Sequence, residues 1–133
     1  MLKLWQVGVL TVLGTAMWAM VTYGIHAHPE RSLDMERARL GLALGPLGGL
    51  FSVWLCKFVG RLSNDQLLAG VSVVGAVAMM LDGVAIRWLP SLYGSSDRAL
   101  MLSGANLLWG YGVAFAIAVA WAAVVEARRK REA

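Results

Sequence analysis

Four stretches of this chain, at about residues 5–25, 40–59, 67–87 and 101–125, are each roughly twenty residues long and almost wholly apolar. A helix needs about 20 such residues to cross the ~30 Å hydrocarbon core of a bilayer. The runs are continuous rather than alternating, which selects helices over a β-barrel. Composition agrees, with 59% hydrophobic and 15% charged residues, against about half and a quarter in soluble domains. Four spans and their short links use nearly all of the 133 residues. The expectation is an all-α integral membrane four-helix bundle, one transmembrane domain over 1–133. A separate soluble module or nucleotide-binding fold has no room. The N-terminal apolar run exceeds the roughly 7–15 residues of a signal-peptide core, so it is expected to stay as the first span.

Charge sets an expected topology. Placing the N-terminus inside puts Lys3, Lys57, Arg61 and the tail Arg128, Arg129, Lys130 and Arg131 on the cytoplasmic side. Arg31, Arg37, Arg39, Arg87 and Arg98 then lie outside. The bias, carried mostly by the tail, predicts an inner-membrane protein with both termini cytoplasmic. The net charge of +4 is therefore a topological signal and an attraction for anionic lipid, not a mark of nucleic-acid binding. Trp5, Trp54, Trp88 and Trp121 fall near the expected interfaces, where tryptophan concentrates. Trp18 and Trp109 do not, since each lies about two turns inside its span. Cys56 is the single cysteine, so no intramolecular disulfide can form, and a small buried hydrophobe is expected there.

The links are short. "HAHPERSLDMERAR" predicts a short interfacial helix, with Pro29 at its first position and Leu33, Met35 and Leu40 on a weakly apolar side. "GRLSNDQ" reads as a tight turn and "LPSLYGSSD" as ordinary loop chemistry. Span two carries Gly41, Gly45 and Gly49 every four residues, a stripe that allows close helix approach. Ala114, Ala118 and Ala122 form a second stripe in span four. Pro46 is expected to kink span two. Thr11, Thr15, Trp18 and Thr22 share one face of span one.

The halves also align at an offset of 61 or 62. Gly8 matches Gly70, Met17 matches Met79, Pro29 matches Pro90 and Gly49 matches Gly110. One reading is two tandem helical hairpins related by an axis along the membrane normal. The other is that low-complexity membrane sequence aligns with anything.

Asp82 is the one acid inside a span, about five residues from the outer end of span three, or on the order of 7 Å deep. A carboxylate at full depth costs on the order of 2–3 kcal/mol, and less nearer the edge. Two readings follow. It binds Asn106, Arg39 or a threonine and fixes which helices are neighbours, or it forms a proton or cation site with tryptophan walls. Depth places Asn106, Trp109, Trp18, Thr22 and Tyr23 within reach, with Arg39, His26 and His28 above and Tyr111 deeper. "HAH" has no third ligand at metal spacing, so neither a metal nor a cofactor is expected. No nucleophile–base pair or phosphate loop points to an enzyme.

At "MLDGVAIRWLPSLYG" and "GANLLWGYGVAFAIA" the sequence resembles a family of small bacterial four-span membrane proteins grouped as a domain of unknown function. Met80-Leu81-Asp82, Pro90 and the run Leu108-Trp109-Gly110-Tyr111-Gly112 carry the resemblance. It covers the second half well and the first half by hydropathy only. It implies the four-span class and adds interest to Asp82, Trp109 and Tyr111. The small multidrug transporters have a similar size and span count but carry an acid in the first span, which is lacking here.

The sequence therefore predicts a non-enzymatic protein with an outward-facing pocket around Asp82 that binds or passes a small molecule. Its expected ligand-binding residues are Asp82, Asn106, Trp109, Trp18, Thr22, Tyr23 and Tyr111. The alternative is an accessory or scaffold subunit, docking a homo-oligomer or a larger membrane complex through the Gly and Ala stripes.

Overall fold

The computed structural model describes residues 1–28, 31 and 33–132. Four helices follow in order: α1 Leu4–Ala27, α2 Met35–Val59, α3 Leu67–Trp88 and α4 Asp97–Glu132, with a 3₁₀ turn at Pro90–Leu92 before α4. All four are long and apolar enough to cross a membrane. The fold is thus an all-helical four-helix bundle of multi-pass type. Both termini and the α2–α3 turn lie at one end, called here the terminal end. The α1–α2 and α3–α4 links lie at the far end.

The spans begin and stop where capping chemistry places them. α2 starts at Met35, five residues before the apolar run, because the Asp34 carboxylate accepts from the backbone N–H of Glu36 (3.0 Å) and of Arg37 (3.3 Å). Such a cap satisfies N–H groups that have no partner within the helix. The expected interfacial helix is therefore not separate over Met35 and Leu40, which belong to α2. Pro29 lies outside the described residues. α4 continues through the basic run, where Lys130 and Glu126 pair one turn apart at 3.6 Å. Its 36 residues make it ~54 Å long at 1.5 Å per residue, well beyond a bilayer core.

Helices adjacent in sequence are not the main neighbours. α1 packs chiefly along α3, and α2 along α4, each pair running parallel. α3 also meets α4 and α2, while α1 and α2 touch weakly. Glycines decide these contacts. A Cβ on Gly14 of α1 would come within 3.0 Å of the Val74 carbonyl oxygen of α3. On α2, a Cβ at Gly49 would fall 2.7 Å from Val113 and 3.1 Å from Ile117. Gly45 is a notch for Trp109, at 2.7 Å. Two of the three glycines in the predicted stripe are thus used, while Gly41, and Gly48 beside the stripe, face open space.

Pro46 lies inside α2 and has no N–H to give the Leu42 carbonyl four residues earlier. The Trp109 indole N–H of α4 donates to that carbonyl instead, at 3.2 Å. One bond therefore satisfies the group that proline leaves bare and fastens α4 to α2.

The packed core lies toward the terminal end, around Leu10, Val53, Cys56, Leu62, Leu67, Val71, Val74 and Ala118. Buried Gln6 closes that end. Its side-chain oxygen accepts from Lys3 N–H at 2.9 Å, and its amide donates to the Gly60 carbonyl at 3.0 Å. The α2–α3 turn puts Arg61 at φ 46°. Leu62 N–H reaches back to the Lys57 carbonyl (3.0 Å) and Arg61 N–H to Phe58 (3.3 Å), the double bond of a Schellman cap.

The halves do not use their aligned residues alike. A side chain at Gly8 would meet nothing and one at Gly70 would strike Leu62, while Gly49 is a filled notch and Gly110 is open. Within the first hairpin the helices touch little, whereas α3 packs on α4. Of the threonine face on α1, Thr22 is buried. Thr11 and Thr15 are exposed, and Thr15 bonds back to the Thr11 carbonyl at 3.0 Å.

Candidate functional site

Asp82 is 5% exposed and stands on the buried stripe of α3 with Val71, Val74, Ala78 and Ala85. Its small neighbours leave room for two phenols. Tyr93 donates to Oδ1 at 2.5 Å, and Tyr111 of α4 donates to Oδ2. The Trp18 indole N–H donates to the Tyr93 hydroxyl oxygen at 3.1 Å, and Thr22 bonds the same oxygen at 3.2 Å. A tyrosine hydroxyl has one proton, and Tyr93 gives its proton to Asp82. Thr22 must then be the donor in its pair. Every hydrogen bond in the cluster therefore points toward the carboxylate, joining α1, α3, α4 and the α3–α4 link.

Tyr93 reaches this site because its link folds inward. Pro90 opens the 3₁₀ turn, Tyr93 N–H bonds the Pro90 carbonyl at 2.9 Å, and Ser103 Oγ donates to the Tyr93 carbonyl at 2.8 Å. Gly94 follows where a Cβ would meet the Leu100 nitrogen at 2.8 Å, so only glycine fits. Ser96 then caps α4, accepting from Ala99 N–H at 3.2 Å. Tyr93 ends fully buried. Burial, with Asp82 beside it, holds its phenol above the ordinary tyrosine range, so the proton stays available for donation.

Below Asp82, toward the terminal end, lies a cavity of about 230 Å³ lined by all four helices. Met17, Trp18 and Val21 line it from α1, and Gly45, Gly48, Gly49, Ser52 and Cys56 from α2. α3 forms the back wall from Val71 to Asp82, on the order of 17 Å of helix. Asn106, Leu107, Gly110, Tyr111, Ala114 and Phe115 complete it. The lining is almost entirely apolar apart from Asp82, Tyr111, Asn106 and Ser52. Its loosest side is the seam where α1 and α2 touch weakly. There Gly48 faces open space and Val21 is exposed.

The expected site residues divide. Trp18, Thr22, Asp82 and Tyr111 come together. Asn106 lines the cavity but is exposed, and among the described residues Asp82 is bonded by the two tyrosines, not by Asn106. At 100° per residue Asn106 stands about 140° around α4 from Tyr111, and it is Tyr111 that bonds Asp82. Trp109 is engaged with Leu42. Tyr23 is 73% exposed, one residue and therefore ~100° around α1 from buried Thr22. Arg39, His26 and His28 are exposed as well. The cavity runs from Asp82 toward the terminal end, with Tyr93 between Asp82 and the far end.

Sequence reasoning missed Tyr93 and Gln6. For Tyr93 a signal existed: a tyrosine followed by glycine, in a link only eleven residues past the buried acid.

Fold and site together define a multi-pass helical membrane protein with a buried carboxylate at the head of an apolar cavity. No family model matches the chain, and neither a curated protein nor a solved structure matches it.

Proposed function

We propose that this is a non-enzymatic protein of a bacterial inner membrane, with both termini cytoplasmic, that binds a small amphiphile in the bundle cavity. The ligand carries an ammonium or similar cationic donor, which sits at Asp82, and an apolar body, which lies against Trp18, Val74, Ala78 and Phe115. The observation that carries this reading is a buried carboxylate with no ion pair among the described residues, at the head of an otherwise apolar cavity. Buried charges ordinarily meet an opposite charge. The phenols supply hydrogen bonds but no charge. The volume equals that of roughly eight liquid waters, which suits a small molecule rather than a lipid.

Glycine use favours this over the scaffold reading. Gly45 and Gly49 are filled by Trp109, Val113 and Ile117 of the same chain, which takes two of the stripe's three glycines away from any partner.

Titration calorimetry in detergent tests it, with hexylammonium as probe and hexanol as the neutral isostere. The wild-type chain is expected to favour the ammonium by roughly tenfold, about 1.4 kcal/mol, and Asp82→Asn to lose that preference while keeping its helical content. An equal affinity of the wild-type chain for both probes would refute the cation site.

A further inference from the structure

At the terminal end a second concavity of about 590 Å³ opens beside α4. Its floor is apolar, made by Ile117, Trp121, Val124 and Val125, and its upper rim carries Arg128, Arg129 and Glu132 with Asn64 of the α2–α3 turn facing them. The cavity function proposed above uses none of these residues. We infer that this groove binds one anionic phospholipid, with its phosphate between Arg128 and Arg129 and the upper part of an acyl chain on the apolar floor.

Three observations carry the inference. First, the groove changes character along its length as a lipid does. From Ile117 to Arg129 is twelve residues, on the order of 18 Å of helix, apolar toward the middle of the bundle and basic toward the terminal end. Trp121 lies between, exposed as interfacial tryptophans are. Second, the arginines are free. Lys130 is paired with Glu126, but among the described residues neither Arg128 nor Arg129 forms an ion pair. Guanidinium groups match phosphate geometry and bind it through paired N–H donors. The nearby acids are Glu126, which is held by Lys130, Glu132 on the rim, and Asp65, which lies within electrostatic reach of Arg129. Third, the wall beneath is already fixed. Lys57 donates to Asn64 Oδ1 at 2.6 Å and stands 4.7 Å from the Trp121 ring centre. The turn is thereby held against α4, and a third cation is held close by. Asn64 gives its oxygen to Lys57 and keeps its amide N–H groups for another acceptor.

A helix that runs past its neighbours into the headgroup layer leaves such a groove only where another element faces it. Here the α2–α3 turn does so. Basic pockets of this kind, set between helices at the membrane surface, select anionic headgroups.

Thermal melting of the full chain in dodecylmaltoside tests the proposal, with dioleoyl-phosphatidylglycerol, the matching phosphatidylcholine, or millimolar inorganic phosphate added. Phosphatidylglycerol is expected to raise the melting temperature by several degrees, and the other two to leave it unchanged. The double variant Arg128→Gln/Arg129→Gln should need roughly thirtyfold more phosphatidylglycerol for the same shift. Lys130→Gln/Arg131→Gln removes the same charge outside the groove and should need less than about threefold more. Equal weakening by the two pairs would show diffuse attraction to a basic tail and overturn the site. A response to phosphate alone that matches the lipid would overturn the lipid as occupant. Equal responses to both lipids would overturn it as well. Melting without added lipid reads the fold of each variant separately.

Discussion

The bond from Trp109 to Leu42 should be worth more in this chain than an average interhelical hydrogen bond, and the reason is Pro46. Trp109→Phe keeps an aromatic ring in the Gly45 notch and removes the N–H. The Leu42 carbonyl then has neither its helical donor, absent at Pro46, nor the indole. Trp109 lies twelve residues into α4, ~18 Å from that helix end, where lipid offers no donor in exchange. An unsatisfied polar group costs about 1–3 kcal/mol, while membrane double-mutant cycles average ~0.6 and reach ~1.7 kcal/mol. A loss of about 1.5–2 kcal/mol is expected for Trp109→Phe. Pro46→Ala restores an N–H at position 46 for Leu42, so in that background Trp109→Phe should lose only ring contact, below about 0.7 kcal/mol. The coupling energy is then about 1 kcal/mol. Reversible unfolding in dodecylmaltoside–SDS mixtures, followed by circular dichroism on all four species of the cycle, measures it. Costs that add within ~0.3–0.5 kcal/mol, as for independent sites, would refute the argument that the indole replaces the proline's missing donor.

Four further outcomes follow from the same structure. Tyr93→Phe should destabilise more than Tyr111→Phe in the same assay. The first strips a partner from Asp82, Trp18 and Thr22 and the second from Asp82 alone, at about 1–3 kcal/mol per group left bare. Arg61→Gly should stabilise by about 0.5–1 kcal/mol, seen as a higher melting temperature, because φ 46° suits glycine better than a residue with a Cβ. Gly94→Ala should lower the melting temperature clearly, since its Cβ would press on Ala99 and Leu100 and lift Tyr93 from Asp82. Finally, the raised Tyr93 phenol stabilises the fold fully below pH 10, the ordinary tyrosine value. That contribution is lost as pH rises through the raised value. Alkaline melting curves should show the decline in the wild-type chain and a shallower one in Tyr93→Phe. Identical pH profiles would remove Tyr93 from the account.

Particular residues show how far a linear reading reaches. The four spans were legible because a bilayer imposes a length and a polarity on any helix that crosses it, and both are local properties. The off-belt tryptophans were legible as exceptions, and both Trp18 and Trp109 donate their indole N–H to a partner inside the fold. Asp82 announced itself as a charge among apolar residues, Trp18 and Thr22 were found with it by depth, and Tyr111, read as deeper, was singled out through the resemblance. Depth gives only one coordinate. It put Asn106 and Tyr23 at the right height but could not say that Asn106 lines the cavity without bonding Asp82, or that Tyr23 turns outward from buried Thr22. Tyr93 was passed over because its link was read as ordinary loop chemistry, and only Gly94, Ser103 and the 3₁₀ turn fold it in.

Composition and hydropathy therefore determined the class, the number of spans, and the presence of one buried acid that needed partners. The neighbour relations were decided only in three dimensions. α1 lies beside α3, and α2 beside α4, because Gly14, Gly45 and Gly49 are notches whose fillers, Val77, Trp109 and Val113, lie about sixty residues away in sequence. Lipid is as apolar as leucine, so burial alone does not choose among four greasy helices. Close backbone approach and satisfied polar groups choose instead. Both depend on which faces meet, a property no single span carries.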